Sequence, residues 1–331
     1  DQITAPIMEL IISPLFGAYE ALKKARQKRG ALELELAERK IILSKNGQVD
    51  RIKIRERHDS HKLIEEFMIT ANVAAAETLE KKKQPCLFRV HDEPSRKKME
   101  TLRQFLASID IPIAKGQVIK TNYFNQILKK TKNTLHSKMV NDTILRSQSQ
   151  AEYNQNNIGH FGLALKRYCH FTSPIRRYAD LLVHRSLIEC LSLGEGSFGG
   201  NYDYFENIGA TLSRNERRAA IAERDASDRY CASFLSDKIG NIFTGHINGV
   251  TRFGLFITLN DSGADGLVPI RSLGKNYFTY NESENLLHCI RTRETYQLGD
   301  EVEVILVKSD AITNSLIMNI YKDSDSTTYA N

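Results

Sequence analysis

The sequence predicts an α+β fold: a helix-rich body followed by a small all-β barrel of the OB type. Three observations predict it. Apolar residues recur at three- and four-residue spacing through much of the first 238 positions. After Gly240 the pattern changes to short strand-like runs, IFTGHI, GLFITL, GLVPI and EVEVILV. The charge balance changes sign at the same place, residues 241–331 carrying 7 Lys and Arg against 11 Asp and Glu, and residues 1–240 carrying 39 against 29. The expected division is a body over 1–238, a barrel over 239–322 and a tail over 323–331.

In chain order, Leu15, Ala18, Leu22 and Ala25 mark a first helix that Gly30 ends. LELEL at 32–36 alternates apolar and acidic residues and predicts a half-buried strand. Ile41–Leu43 and Val49–Ile54 flank Asn46-Gly47, the pairing of a hairpin. From His61 to Lys83 a long amphipathic helix is expected, burying Leu63, Ile64, Phe67, Met68 and Ala71, with Lys81, Lys82 and Lys83 at its dipole-favoured end. Residues 95–192 read as mostly helical, broken near Pro112 and Gly159. LGEGSFGGN at 193–201 reads as a surface insertion before a last helix over 204–238.

Composition narrows the possible functions. The chain has 331 residues, 41% of them hydrophobic and 26% charged, enough for a substantial core. Its five cysteines are widely spaced with no CxxC pair, which argues against a disulfide framework or a thiolate zinc site and points to a reducing, cytoplasmic setting. No run of about 18 uncharged apolar residues is present, so no membrane association is expected. The chain begins at Asp1 rather than Met, which suggests a fragment or a processed product. The basic body favours an anionic partner, although a solvated lysine-rich surface has the same composition.

The densest chemistry lies in HFTSPIRRYAD at 170–180, followed by His184 and Arg185. Ser173-Pro174 is a helix-start signal, which would put Arg176 and Arg177 in a first turn where positive charge is unfavourable. A docked phosphate or carboxylate would offset that, and so would a bracing carboxylate such as Glu223. Glu216 and Glu223 share one helix face within a run that reads equally as solvated surface, and Glu65-Glu66 borders the buried face of the long helix. His58, His61, His160, His170 and His184 lack metal-ligand spacing, and no tight carboxylate cluster, P-loop or GxSxG occurs. Phe253 and Phe256 flank Gly254 on the expected barrel, where aromatic rings can stack bases; at least one of them is expected in the core.

HFGLALKRYCHFTSPIRRYADLLVHRSL at 160–187 resembles the catalytic (RNB) domain of the ribonuclease II/ribonuclease R family, in its C-terminal half. RGALELELAERKIIL, HKLIEEFMITANVAAAETL, FRVHDEPS, LRSQSQAEY and NERRAAIAERD are similar to the same family in the same order, and GHINGVTRFGLFITLNDSGADGLVPI resembles its terminal S1 domain. The resemblance covers nearly the whole chain and is nearer the ribonuclease R branch, bacterial in type. It implies a partial RNB domain ahead of an S1 barrel, and 3′-to-5′ hydrolysis of RNA to nucleoside 5′-monophosphates with Mg2+. Implied partners are single-stranded RNA, or structured RNA with a 3′ overhang, met by a monomer. Arg176 matches the arginine at the scissile phosphate, and Glu223 and Glu65 match carboxylates near the 3′ end. Arg177, Tyr178, Phe253 and Phe256 are implied RNA contacts. Leu34 stands where the family often has a clamping aromatic, and the family's metal-binding aspartates match nothing in this sequence. The chain alone is therefore expected to bind RNA without a metal of its own and without cutting. The alternative is a non-catalytic RNA-binding protein.

Overall fold

The computed structural model describes residues 5–322 except 36–37, 115, 117–119, 135, 198–201, 275–276 and 282–285. The expected tail therefore lies outside the described residues. A 3-10 turn at Ala5–Ile7 and a π turn at Met8–Ile12 lead into α1, Ser13–Arg29. Gly30, at φ +76°, ends α1 by donating to the carbonyls of Arg26 and Gln27; a side chain there would meet Asn122 at 2.0 Å. By length and composition the segment Ala5–Arg29 is apolar enough to cross a membrane, yet its apolar stretch includes Glu9 and Glu20.

The strand expected at LELEL does not form among its described residues. Leu32 and Leu34 do turn inward and Glu33 and Glu35 outward, but their N–H groups find no ladder. Leu32 donates to the Gly162 carbonyl, and Glu33 and Glu35 donate to the side-chain oxygens of Asn125 and Asn141. Alternation here reports an extended backbone whose partners are side chains. The hairpin forms as expected: β1 (Arg39–Leu43) pairs antiparallel with β2 (Val49–Ile54) through a turn holding Gly47 at φ +77°.

The long helix, α2 (Asp59–Lys81), buries Leu63, Glu66, Ile69, Asn72, Ala75, Ala76 and Leu79. That face is rotated from the expected one: Ile64 is 57% exposed, and two polar residues occupy core positions. β3 (Phe88–Val90) follows. Helices α3 (Arg96–Ser108), α4 (Thr121–Thr131) and α5 (Ser137–Ser147) share a core of Leu102, Leu106, Phe124, Ile127, Val140 and Ile144. From 148 to 177 the chain is irregular rather than helical, apart from β4 (Glu152–Asn154), which pairs antiparallel with β3.

α6 (Tyr178–Leu191) and α7 (Tyr202–Ser236) close the body. Phe205 near the start of α7 packs with Leu87, Tyr153 and Leu182, whereas Cys231, Ala232 and Leu235 near its end lie in the barrel core. Between them residues 214–226 are exposed on every side, the signature of a helix bridging two cores. Strands β5 (Ile242–Thr251), β6 (Gly254–Leu259), β7 (Asp265–Pro269), β11 (Glu301–Asp310) and β12 (Ser315–Ile320) form a closed barrel in the order β11-β12-β7-β6-β5. Strands β8 (Phe278–Asn281), β9 (Leu286–Cys289) and β10 (Thr295–Gln297) make an accessory antiparallel sheet whose Phe278, Leu287 and Tyr296 extend the barrel core.

Candidate functional site

The HFTSPIRR segment is a loop whose backbone is answered by buried side chains. Cys169 bridges to Phe88, and Arg89 N–H donates to the Tyr168 carbonyl, anchoring the loop's start beside β3. Asn72 of α2 then takes over. Its Oδ1 accepts from the N–H groups of Phe171 (2.9 Å) and Thr172 (3.2 Å), and its Nδ2 donates to the Tyr168 hydroxyl at 3.0 Å. Ser173 N–H donates to Oδ1 of Asp180, and His184 Nε2 meets the Phe171 carbonyl at 2.9 Å with its ring stacked on that of Phe171.

The helix start lies later than Ser173-Pro174 suggests. Residues 174–176 form a turn in which the Arg176 and Arg177 N–H groups both point to the Ser173 carbonyl, and α6 begins at Tyr178 with Arg177 in the extended N-cap position. The two arginines therefore stand outside the first helical turn. Arg177 donates from Nη2 to Asp180 at 2.8 Å, and Asp180 is completely buried. This is the bracing arrangement, with Asp180 rather than Glu223 as the brace. Arg176 is exposed, and its guanidinium makes no hydrogen bond or ion pair among the described residues. Tyr178 is exposed with its hydroxyl 3.2 Å from that of Tyr204.

Beneath the loop lies a cleft of about 300 Å3 lined by His61, Glu65, Met68, Asn72, Tyr168 and Arg177. Glu65 also borders a larger cleft of about 600 Å3, where Leu32 and Leu34 supply an aliphatic wall. Glu65 pairs with Arg57 and lies 3.9 Å from Arg26. Its neighbour Glu66 is buried and takes Arg26 at 2.8 Å and Arg29 at 3.8 Å, so it acts as a structural anchor for α1 on α2. The structure thus puts Glu65 and Arg177 on one cleft, with Arg176 next to Arg177 along the chain. Glu223 stands on the exposed span of α7, and Glu216 on that span reaches back to Arg89 at 2.7 Å.

On the barrel, Phe253 is 63% and Phe256 40% exposed, so neither fills the core. Arg252 covers the Phe253 ring at 4.7 Å, and Phe256 borders a shallow cleft with Leu267 and Leu316. Gly249 opposite Phe256 leaves room for the ring: a side chain there would meet the phenylalanine at 3.3 Å.

His160 and His170 are internal braces, whereas His58, His61 and His136 are exposed. Burial, then Arg177 and Arg89, pushes His170 down to about 2, and its Nδ1 lies 2.8 Å from the Tyr153 hydroxyl. Burial, then His91 and Arg89, pushes His160 down to about 3. Both are neutral at physiological pH. Among the described residues no three His, Cys, Asp or Glu side chains converge, and Glu65 is already engaged by arginine. The described residues therefore assemble no carboxylate set of the kind a divalent cation takes. Asn72 and Asp180 escaped the sequence reading; the only signal for either was a polar residue at a core position of a helical pattern.

Two family models match successive parts of the chain. The RNB domain model matches residues 5–193 and the S1 RNA binding domain model matches residues 236–321. Ribonuclease R of Escherichia coli (strain K12) is 39% identical over 309 residues, which are 91% of this chain and 38% of that protein. Ribonuclease R of Aquifex aeolicus (strain VF5) is 36% identical over 88% of this chain and 41% of its own length. Among solved structures, Mycoplasma genitalium RNase R in complex with ribose methylated single-stranded RNA superposes with a TM-score of 0.88 at 28% identity, over 94% of this chain and 49% of that one. The chain thus spans less than half the length of these relatives. With more than half of its residues matched to the RNB domain and a closed S1 barrel behind them, the chain belongs to the RNB family.

Proposed function

We propose that this chain carries part of the machinery of a 3′-to-5′ exoribonuclease of the ribonuclease R type, releasing nucleoside 5′-monophosphates from RNA. The observation that supports it best is Arg176: an exposed guanidinium, unpaired among the described residues, on a loop pinned by two buried side chains. Such a group can grip a phosphate bidentately, and because its backbone is already fixed it loses little freedom in doing so. In hydrolysis a water oxygen bonds to phosphorus while the bond to the 3′ oxygen of the penultimate nucleotide breaks. Arg176 is assigned to the charge that develops on the phosphoryl oxygens. Glu65 and Glu223 are assigned to the terminal nucleotide, whose ribose hydroxyls a carboxylate can accept from. Arg177 and Tyr178 extend that contact, and Phe253 and Phe256 stack bases on the S1 barrel.

The proposed organisation is an RNB segment over 1–238 and an S1 unit over 239–322, monomeric, cytoplasmic and free of membranes. It meets single-stranded RNA or structured RNA with a 3′ overhang. Mg2+ serves the intact enzyme, through carboxylates that the described residues here do not bring together. That same observation favours the second reading, an RNA-binding protein that does not cut.

Digestion of 5′-labelled single-stranded RNA with Mg2+, alongside binding across a salt series, separates the two. Mononucleotide release with shortening from the 3′ end supports the nuclease reading for this chain itself. Binding that weakens steeply with salt, without cleavage, supports an RNA-gripping part whose metal site lies in other residues. In an active enzyme, Arg176→Ala is expected to lower turnover by about 100- to 1000-fold while affinity changes far less. Equal losses in both would remove its assigned role.

A further inference from the structure

We infer that Asn72 is a positioning residue for recognition of the RNA 3′ end, because this one buried amide holds both sides of the cleft at once. The inference rests on the proposed function and deepens it. Asn72 is 2% exposed and uses its side chain on both edges: Oδ1 accepts two consecutive loop N–H groups, and Nδ2 donates to the Tyr168 hydroxyl. Its own carbonyl accepts from Cys169 Sγ at 3.4 Å. The loop from Tyr168 to Thr172 is thus wrapped around a single side chain of α2, only four residues ahead of Arg176.

The other side of the cleft follows from helix geometry. Glu65 precedes Asn72 by seven residues, two turns along the same helix, and both line the cleft with Tyr168 and Arg177. A rigid helix therefore carries the carboxylate, and its buried amide carries the arginine loop. Cys169 and Phe171 also pack on Ala75, Ala76 and Leu79 of α2, and Asn72 is the polar link that fixes the loop's register on that helix and so the separation between the two groups. Asp180 fixes the far end of the loop through Ser173 and Arg177, but it belongs to α6 and, among the described residues, makes no hydrogen bond to α2. Asn72 alone of the two joins the loop to the element bearing Glu65.

Replacing Asn72 by Ala removes the acceptor and leaves the part-buried Phe171 and Thr172 N–H groups without that partner. Asn72→Asp keeps an acceptor oxygen for both N–H groups, and the Tyr168 hydroxyl can turn to donate to the second oxygen. The test measures affinity of the full chain for a single-stranded RNA with a free 3′ end and for the same sequence closed into a circle. The wild type is expected to prefer the linear RNA. Asn72→Ala is expected to lose about ten-fold of that preference, with affinity for the circle unchanged, and Asn72→Asp to restore most of it. Ile144→Val, a mild change in the helical core, controls for general destabilisation and is expected to leave the preference intact. Amide hydrogen exchange provides a readout without RNA: Asn72→Ala should speed exchange at Phe171 and Thr172 while the ends of α2 keep their protection.

An undiminished preference in a folded Asn72→Ala chain would overturn the positioning role. So would a matching loss in Ile144→Val, which would make the effect one of stability alone. A wild type that does not distinguish linear from circular RNA would instead overturn the end-recognition reading beneath it, and the exchange data would still report whether Asn72 holds the loop.

Discussion

The Arg176 loop and the S1 barrel solve the same problem, satisfying backbone groups while burying surface, by opposite means. In the barrel each strand's N–H and C=O groups are met by neighbouring strands around a closed sheet, and the interior is apolar: Ile247, Leu255, Ile257, Val268, Val304, Leu306 and Met318. In the loop three consecutive N–H groups are met by two buried side chains, Asn72 and Asp180. A barrel spreads its stability over many small contacts. The loop concentrates it in a few polar atoms, which fixes one conformation and makes each of those atoms critical.

The sharpest way to break this comparison is to remove one partner from each. Asp180→Ala leaves Arg177 partly buried without its carboxylate and the Ser173 N–H without an acceptor; a loss of about 4 kcal/mol is expected in denaturant unfolding. Leu255→Ala in the barrel should cost about 3 kcal/mol, set by the cavity left behind. If the barrel variant proves clearly the worse, the loop's stability is not concentrated as described.

Acid gives a second contrast. His160 and His170 sit at about 3 and about 2 when folded, against an ordinary value near 6.5, so below pH 6.5 the unfolded chain binds protons that the folded chain refuses. Their contribution is intact above that pH and declines as pH falls toward the folded values. Between pH 7 and 5.5 each should withdraw about 1 kcal/mol, read as a falling urea midpoint. His91 and His246, also lowered by burial, add to the same slope, so His170→Gln should remove only its own share of about 1 kcal/mol; an unchanged slope would show that other groups govern it.

The smallest effect is expected at Arg176 itself. Its exposed guanidinium makes no hydrogen bond or ion pair among the described residues, so Arg176→Ala should change stability by less than about 0.5 kcal/mol while abolishing its assigned function. A large loss of stability would mean that the guanidinium is part of the scaffold after all.

How much of this was legible in the sequence follows from the same contrast. The β5, β6, β7 and β11 strands could be read because a closed sheet has a period of two and its partners lie in similar segments. The hairpin at Gly47 was legible because turn chemistry is local. β12 went unread, since Ser315 and Asn319 break up its apolar run. The loop was illegible for a deeper reason: its hydrogen-bond partner, Asn72, lies 99 residues from Phe171, and nothing local distinguishes a segment answered by a remote amide from a helix. Ser173-Pro174 consequently looked like a helix start. Of the candidate site, the motif placed Arg176, Arg177 and Tyr178, and the helical pattern placed Glu65 near a boundary of burial. The rotation of α2 that buries Glu66 and Asn72 became visible only with its neighbours in place.

α7 has one further consequence. At about 1.5 Å per residue its 35 residues make a rod roughly 50 Å long, and each end belongs to a different core while the exposed middle is held to the body by the Glu216–Arg89 ion pair. Melting the rod would withdraw Phe205 from one core and Cys231, Ala232 and Leu235 from the other. The rod is one of several links between the two bodies: Ile52 of β2 packs on the barrel core, Leu298 on the helical core, and Arg146 donates to the Asn248 carbonyl. A severed backbone anywhere in 214–226 would therefore weaken their coupling while those contacts stay in place.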